Sequence, residues 1–322
     1  MIATSGTTGS PKAIVHTHSA LLAHAQAVGE HLEIDATRDR WLACLPLAHI
    51  GGLGVVIRSL LTATPCDVLG GFDAATVGAA PEALGSTLVS LVPTALDRID
   101  ATRFRRVVLG GSADPASDRP SNVVATYGST ETGGGIVYGD TALPGVEVRV
   151  GTDDVIEVRG PTLTRGRRQE DGRVVPVTDD QGWFRTGDVG RMLDPARRGG
   201  SQRLEVLGRV DDLIITGGQN VWPTPVEVVL GMHRSIQEVA VYGRPDPEWG
   251  QVVVAEVVLR PDAPRPSLEE LRDFVRAELP AYAAPKAVEF RTALPRTALG
   301  KVRRTALGDG RGRPPSAGPG DR

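Results

Sequence analysis

The chain has 322 residues and a formal net charge of −3, with 36 Lys and Arg against 39 Asp and Glu. This length favours about two domains, and the balanced, interspersed charge argues against a nucleic-acid partner. No apolar run approaches the roughly 18 residues of a membrane span, and no secretory signal pattern opens the chain. The sequence therefore predicts a cytoplasmic protein without membrane insertion.

The N-terminal half alternates between helical and buried-strand patterns. Helical periodicity extends from Ser19 to His31, and the apolar runs Trp41 to Leu45 and Val107 to Leu109, which end in Pro or Gly, predict buried strands. The alternation continues at Leu53 to Leu61 and at Val123 to Thr126. This half is therefore predicted to form α/β layers with mainly parallel strands, at whose carboxyl ends ligands bind.

The second half has shorter elements. After about Pro144, the alternating segments Val146 to Val150 and Val155 to Arg159 predict an antiparallel β subdomain, and a domain boundary is predicted near Gly208-Arg209. The elements predicted around and beyond this boundary are a hairpin of Leu204 to Leu207 with Asp212 to Thr216, a helix from Thr224 to His233, strands Glu238 to Tyr242 and Val252 to Leu259, and a helix begun by the capping box Ser267 to Glu270.

Together these patterns predict an α/β fold with a large N-terminal domain and a small C-terminal domain. The N-terminal domain, residues 1–207, combines layered α/β sheets with the β subdomain, and the C-terminal domain, residues 208–307, is α+β. Residues 308–322 are rich in Gly, Pro and Arg and are predicted to be a disordered tail.

Cysteines and histidines do not suggest a metal site. Cys44 and Cys66 lie in apolar surroundings without CxxC spacing, which predicts buried free thiols. His16 and His18 have no cysteine or acidic residue at a spacing suited to a shared metal ion.

A loop of hydroxyls and glycines opens the chain and ends in a lysine. Its residues are Thr4, Ser5, Gly6, Thr7, Thr8, Gly9, Ser10, Pro11 and Lys12. Backbone amides and Ser or Thr side chains in such a loop can converge on phosphate oxygens, although composition alone also fits a flexible linker. It is not a Walker A loop, because proline precedes the lysine and alanine follows it.

Four further motifs follow in order. They are Tyr127 to Gly133, Gly182 to Asp188, Gly208 to Gly218, and Pro295 to Lys301. The segment from Tyr127 to Glu131 is predicted to follow a strand, at its carboxyl end. Lys301 is one of only three lysines in the chain, with Lys12 and Lys286, so its position favours a compact ammonium over a guanidinium. The five motifs in this order resemble those of the adenylate-forming superfamily, which contains acyl-CoA synthetases, luciferases and peptide-synthetase adenylation domains.

The resemblance implies ATP, Mg²⁺ and coenzyme A, and it gives several residues a role. Lys301 is expected to stabilise charge during adenylation, Thr130 to contact the α-phosphate or the acyl carboxylate, and Glu131 to bind Mg²⁺. Without the resemblance, Glu131 would be read as a helix cap and Asp188 as a turn residue. The residues implied to bind the nucleotide are Thr4, Ser5, Gly6, Thr7, Thr8, Gly9, Lys12, Tyr127, Gly128, Asp188 and Arg209.

The same resemblance implies a mobile C-terminal domain. Asp211 matches the hinge position of the family, and Gly217-Gly218 matches the loop that lines the channel for the pantetheine arm of CoA. These glycines also fit a tight hairpin turn, and the two interpretations are compatible. Lys286 and Glu227 are interpreted as structural.

Three segments look like those of the 2-succinylbenzoate–CoA ligases of menaquinone biosynthesis. They are Leu45 to Leu60, Ser90 to Thr94 and Gly133 to Gly135. The resemblance implies that His49, Thr94 and Gly134 line the acyl pocket, although His49 equally fits a helix-start histidine bonded to backbone.

Several alternatives remain open at this point. The chain fits another aryl- or acyl-CoA ligase, or a stand-alone adenylation domain that loads a carrier protein. Family members have further sequence before the Thr4 loop, so a misassigned start codon or a truncated, inactive binding fragment with an exposed sheet edge is a further hypothesis. A homodimer is also compatible with the sequence.

Overall fold

The computed structural model describes residues 1–4, 12–111, 119–193, 203–296 and 302–308. These residues divide into two compact units. The first contains the described residues up to 186 together with 191–193 and 203–205, and the second contains 187–190, 206–296 and 302–308. The predicted tail from residue 309 onward lies outside the described residues.

Six helices and twenty strands are formed by the described residues. The helices are α1 (His18–His31), α2 (Ile50–Thr62), α3 (Ala74–Leu84), α4 (Pro93–Leu96), α5 (Pro223–Gly231) and α6 (Leu268–Arg276). The strands of the first half are β1 (Ile2–Thr4), β2 (Lys12–Val15), β3 (Trp41–Ala43), β4 (Cys66–Val68), β5 (Leu88–Leu91), β6 (Arg106–Leu109), β7 (Val123–Ser129), β8 (Gly134–Tyr138), β9 (Thr141–Ala142), β10 (Glu147–Val150), β11 (Val155–Arg159), β12 (Gly166–Arg168) and β13 (Val174–Val175). The remaining strands are β14 (Phe184–Leu193), β15 (Arg203–Arg209), β16 (Ile214–Thr216), β17 (Gln219–Val221), β18 (Ile236–Asp246), β19 (Gly250–Leu259) and β20 (Ala287–Arg291).

The largest sheet of the first unit has the order β4-β3-β5-β6-β7-β8-β9. Strands β4, β3, β5, β6 and the start of β7 are parallel, whereas β8 and β9 continue the sheet antiparallel. Strands β3 and β5 are wholly buried, as expected of strands covered on both faces. The prediction of α/β layers with mainly parallel strands is confirmed.

Two smaller sheets complete the β structure that begins in this unit. Hairpin β1-β2 joins β12 and β13 in one sheet, and the other has the order β10-β11-β14-β15. Strands β10 and β11 pair antiparallel, which confirms the predicted β subdomain. The division between the two units falls within β14 and β15.

The second unit packs two helices on a mixed sheet of order β17-β16-β19-β18, in which β20 also pairs with β19. Its core joins apolar residues of α5, β18, β19 and α6, among them Leu230, Val241, Val257 and Leu271. The side chain of Ser267 accepts a hydrogen bond from the Glu270 amide at 3.1 Å, so the predicted capping residue begins α6. The predicted α+β architecture is confirmed for this unit.

One predicted hairpin is wrong. The sequence pattern paired Leu204 to Leu207 with Asp212 to Thr216, but β15 lies beside β14, and β16 pairs with β17. Gly217 and Gly218 have φ values of +56° and +76°, which a two-residue hairpin turn of the right twist requires. This turn reverses the chain after β16. Strand β16 therefore forms its hairpin with β17, which follows it, and not with β15, which precedes it.

The cysteines are free, and only one is fully buried. Cys44 lies in the core at the end of β3, where burial raises the pKa of its thiol to about 11. Cys66 on β4 is only half-buried, because β4 is the edge strand of its sheet. In the described part of the chain, no helix is both long enough and apolar enough to cross a bilayer.

Candidate active site

Three of the predicted site residues lie at the carboxyl ends of the parallel strands. His49 precedes α2 in the connection that leaves β3, Thr94 lies in α4 directly after β5, and Thr130 follows β7. Because β3, β5, β6 and β7 run parallel, these connections leave the sheet at the same edge. The main-chain amide of His49 donates to the Pro46 carbonyl at 3.2 Å, so a backbone contact also holds this histidine at the helix start.

The two ends of the predicted phosphate loop lie side by side. Thr4 ends β1, Lys12 begins β2, and the two residues are register partners. The Thr4 hydroxyl donates to the Lys12 carbonyl at 3.4 Å. The predicted phosphate-binding residues Ser5, Gly6, Thr7, Thr8 and Gly9 lie outside the described residues.

Tyr127 and Gly128 lie inside a strand, which corrects the prediction that the segment from Tyr127 to Glu131 follows one. Strand β7 continues to Ser129 because its last four residues pair antiparallel with β8 after the parallel pairing to β6 ends. A Cβ atom at Gly128 would lie 2.0 Å from the carbonyl oxygen of Gly134. Only glycine at position 128 therefore permits this close pairing of β7 with β8. The pairing brings the predicted site residues Gly128 and Gly134 together.

Glu131 lies in a turn, which excludes the helix-cap interpretation. The turn is closed by the Gly133 amide donating to the Thr130 carbonyl at 3.1 Å, and the Thr164 amide donates to the Glu131 carbonyl at 2.8 Å. Its carboxylate, with 13% of the side chain exposed, accepts a 2.9 Å hydrogen bond from the Arg167 guanidinium. Sequence reasoning missed this partner, which lies 36 residues away.

The turn can contribute one carboxylate to a metal ion. Among the described residues no group of three or more His, Cys, Asp or Glu could hold a metal. Mg²⁺ is typically held in nucleotide sites by one or two carboxylates together with phosphates and water. A single, mostly buried carboxylate fits that ligand set, with the nucleotide supplying the remaining oxygens.

A buried histidine supports the Gly134 segment. The Nε2 atom of His24, on α1, lies 2.9 Å from the Gly135 carbonyl, which can only accept, so Nε2 carries the proton. Gly134 has a φ of +125°, and a Cβ atom there would lie 3.3 Å from the His24 ring. Burial, reinforced by the Arg58 charge, lowers the pKa of His24 from 6.5 to about 4.

We expect acidification to destabilise the first unit through His24. The folded state keeps this ring neutral down to about pH 4, whereas the unfolded chain protonates it near pH 6.5. The unfolded state therefore binds more protons between these values, and stability falls as the pH is lowered, on the order of 2 kcal/mol at pH 5. Urea unfolding of wild type and His24→Gln between pH 8 and pH 5 measures this loss.

The control for this experiment is His18→Gln, which removes an exposed histidine from the start of the same helix. This variant should lose stability with pH as the wild type does, whereas His24→Gln should lose about 2 kcal/mol less. Parallel stability curves for wild type and His24→Gln would contradict the assignment.

Arg58 is a second residue that sequence reasoning missed, although it lies within the segment Leu45 to Leu60 that carried the subgroup resemblance. It is only 5% exposed, on α2, and its guanidinium carbon lies 4.6 Å from the centre of the Trp41 ring. Burial raises the pKa of Tyr138, and the Arg58 charge and a side-chain hydrogen bond between Arg58 and Tyr138 oppose that rise. The Arg58 Nε and Nη1 atoms have no hydrogen-bond partner among the described residues, and leaving these polar atoms buried and unpaired costs free energy.

In the second unit, Asp188 and Arg209 face each other. Arg209 Nη1 lies 3.6 Å from Asp188 Oδ1. Asp188 was predicted in a Gly-Asp turn, but it lies inside β14, because Gly187 with a φ of +77° lets the strand continue. The structure therefore rules out the turn interpretation and brings two predicted nucleotide-binding residues together.

Asp211 and the glycine pair occupy exposed positions of the second unit. Asp211 lies in the single 3₁₀ turn Val210–Asp212 that follows β15. A Cβ atom at Gly217 would lie 2.7 Å from the Trp249 ring, and the Gly217 amide donates to the Trp249 carbonyl at 2.9 Å. The ammonium of Lys286 lies 2.9 Å from the centre of the same ring, consistent with the structural role predicted for Lys286.

Lys301 lies outside the described residues, but the chain on both sides of it is held in place. Arg296 and Val302 form an antiparallel bridge. Arg304 donates to both oxygens of Glu227, at 2.6 and 2.8 Å, and forms a 3.1 Å ion pair with Asp212. Glu227 also accepts from the Val241 amide at 2.7 Å, which fits the supporting role predicted for it.

Two family models match the chain. The AMP-binding enzyme model matches residues 1–163, and the AMP-binding enzyme C-terminal domain model matches residues 225–301. The chain is 38% identical over 335 residues to a probable 2-succinylbenzoate–CoA ligase of Mycobacterium tuberculosis, which covers 95% of this chain and 83% of that protein.

Two solved structures of o-succinylbenzoate CoA synthetase from Bacillus subtilis are also similar. The complex with the acyl-adenylate intermediate OSB-AMP has a TM-score of 0.83 at 29% identity, covering 97% of this chain and 69% of that one. The complex with ATP and magnesium ion has a TM-score of 0.81 at 29% identity, covering 95% and 69%. The similarity thus extends through both units.

Proposed function

The chain belongs to the AMP-binding enzyme family, and on that basis we propose that it is an ATP-dependent ligase that joins 2-succinylbenzoate to coenzyme A. It does so through an acyl-adenylate, as a step of menaquinone biosynthesis. The observation that carries this proposal is the 38% identity, along 95% of the chain, to a protein of that name.

In the first step, a carboxylate oxygen of the acid bonds to the α-phosphorus of ATP. The bond from that phosphorus to the bridging oxygen of the β-phosphate breaks, so that acyl-adenylate and pyrophosphate form. The Thr4 to Lys12 loop binds the phosphates, and Tyr127 and Gly128 line the adenine. Asp188 binds the ribose and Arg209 the ribose or a phosphate, and the 3.6 Å contact between the two side chains supports a shared site.

Two residues act on the reacting groups in this step. Lys301 stabilises the negative charge that spreads over the phosphorus oxygens, and the Thr130 hydroxyl contacts the α-phosphate or the carboxylate. Glu131 would hold Mg²⁺, which when bound neutralises phosphate charge as a Lewis acid.

In the second step, the CoA sulfur bonds to the acyl carbon, AMP leaves with the bonding electrons, and the thiol proton passes to solvent. We propose that residues 208–307 act as the mobile domain and rotate about Asp211. The rotation withdraws Lys301 and brings Gly217-Gly218 to the site as part of the CoA channel. The exposed position of both glycines is compatible with that role.

Arg58 supports the choice of acid. 2-Succinylbenzoate carries two carboxylates, and only one of them is activated. The Arg58 guanidinium is buried, and two of its nitrogens have no hydrogen-bond partner among the described residues. It is therefore suited to bind the other carboxylate, because an ionised partner would offset the cost of burying its charge. We therefore assign Arg58 to the acyl pocket with His49, Thr94 and Gly134.

Arg58→Met is expected to lower kcat/KM for 2-succinylbenzoate by about 10- to 100-fold, the value of a charge-assisted hydrogen bond. Two matched analogues test whether the loss comes from the contact between Arg58 and a carboxylate. They are 2-butyrylbenzoate and 4-oxo-4-phenylbutanoate, each of which lacks one of the two carboxylates. The analogue without the carboxylate bound by Arg58 should be used equally by wild type and variant. The analogue that lacks the activated carboxylate should be turned over by neither enzyme. An equal loss with 2-succinylbenzoate and with the analogue that still reacts would show that Arg58 is needed only for folding.

The function itself is tested by pyrophosphate release from Mg·ATP with 2-succinylbenzoate, benzoate or a fatty acid, followed by mass detection of the CoA thioester. Selective turnover of 2-succinylbenzoate supports the proposal. Turnover of another acid would favour a different acyl-CoA ligase, and adenylate without thioester a stand-alone adenylation enzyme. Silence from folded protein would favour an inactive form.

The proposal also includes a cytoplasmic location and leaves a homodimer as a testable state. Cell fractionation and light scattering of the purified chain measure these two properties.

A further inference from the structure

The carboxylate of Glu131 already has a cationic partner in this chain. Arg167 Nη2 donates to Glu131 Oε1 at 2.9 Å. Glu131 is the more buried partner of this contact, because 13% of its side chain is exposed, compared with 37% of the Arg167 side chain. The Arg167 Nε atom is buried and has no hydrogen-bond partner among the described residues. The carboxylate is thus the main partner that the structure provides for this guanidinium.

The position of Arg167 ties it to the phosphate end of the site. It lies on β12, whose partner β2 begins at Lys12, the last residue of the predicted phosphate loop. Arg167 is the register partner of Ile14 on β2. The Glu131 turn is bound to the segment just before β12 by its own carbonyl, which accepts from the Thr164 amide. Turn, strand and guanidinium are therefore held together by the backbone as well as by the ion pair.

A guanidinium in this place and a divalent ion compete for one carboxylate. A metal bonded to Glu131 would lie close to the Arg167 charge, and like charges at such short range repel strongly outside bulk water. A free ion has only the carboxylate to offset that repulsion. A metal that arrives with a polyphosphate brings several negative charges, which can also receive the released guanidinium as a bidentate donor.

We propose that Arg167 is the resident counter-ion of Glu131 and makes metal binding at this carboxylate conditional on the nucleotide. Free Mg²⁺ is kept out, and the guanidinium gives way only when metal and polyphosphate enter together. Arg167 is a positioning residue in this account, because it acts through Glu131. The inference rests on the metal role of Glu131 in the proposed function.

The test measures binding of Mn²⁺, a paramagnetic substitute for Mg²⁺, by the electron paramagnetic resonance signal of the free ion. The full chain is titrated with Mn²⁺ alone and with Mn²⁺ plus α,β-methylene ATP, which cannot be adenylated. Arg167→Met should bind Mn²⁺ alone about two- to fivefold more tightly than wild type, the effect of removing one partly exposed charge. With the nucleotide present, this advantage should shrink or reverse.

Two variants control the result. Arg168→Met removes the exposed neighbouring charge, which alternation along the strand places on the opposite face, and should match wild type. Adding Glu131→Gln to Arg167→Met should abolish the gain in affinity for Mn²⁺ alone. Thermal melting of each variant shows that it is folded.

Two outcomes overturn the inference and differ in what else they overturn. If Arg167→Met binds Mn²⁺ alone no more tightly than wild type while nucleotide-dependent binding is intact, the counter-ion role fails and the proposed function stands. If Glu131→Gln leaves nucleotide-dependent Mn²⁺ binding unchanged, Glu131 is not a metal ligand, and both the inference and that part of the proposed function fail.

Discussion

Lys301→Ala is expected to slow acyl-adenylate formation by about 10²- to 10³-fold, the usual effect of removing one preorganised charge from a transition state. Thioester formation from preformed acyl-adenylate and CoA should stay close to the wild-type rate. The reason is that the lysine acts on the phosphorus oxygens in the first step and is withdrawn in the second. Pyrophosphate release and single-turnover thioester formation measure the two halves separately.

Two further lysine variants serve as comparisons for Lys301→Ala. Lys301→Arg should be nearly as slow as the alanine variant, because a planar fork does not replace a compact ammonium in a tight site. Lys286→Ala should adenylate normally, since the Lys286 ammonium rests on the Trp249 ring. Equal losses in both half-reactions for Lys301→Ala would refute the two-conformation assignment.

The second large effect concerns stability. Glu256 and Arg291 form an ion pair at 2.6 Å with 0% and 1% of their side chains exposed, in the middle of the second unit. Glu256 also accepts from the Gly308 amide at 2.6 Å, which fastens the chain beyond the Lys301 segment. Glu256→Gln leaves a buried guanidinium without its counter-charge, and we expect it to lose about 3–5 kcal/mol of stability.

Native-state hydrogen exchange of the β19 amides measures this loss in the unit where it occurs. The matched control is Glu289→Gln, because Glu289 is the register partner of Glu256 on β20 but pairs with a half-exposed Arg244. It should cost less than about 1 kcal/mol. A double replacement, Glu256→Gln with Arg291→Met, should be less destabilising than Glu256→Gln alone, and an additive loss would contradict the buried-pair argument.

The extent of sequence prediction differs between local and long-range features. The helix from Ser19 to His31, strand Val155 to Arg159 and the capping residue Ser267 were all predicted, because each depends on periodicity or on a side chain a few residues away. The hairpin of β16 was assigned the wrong partner, because two neighbouring strands with similar patterns compete for it and only the glycine turn decides. The strand position of Tyr127 was missed for a related reason, since the end of β7 depends on pairing with β8.

By itself, the sequence determined the family motifs, their order and the α/β class, because these depend on residue type and on spacing along the chain. Only the tertiary structure decided which charges meet: Arg167 with Glu131 across 36 residues, and Arg291 with Glu256. An arginine-rich sequence offers many cations for each carboxylate, and no local pattern selects among them. Burial makes the choice, because in the low-dielectric interior a charge is stable only beside its partner.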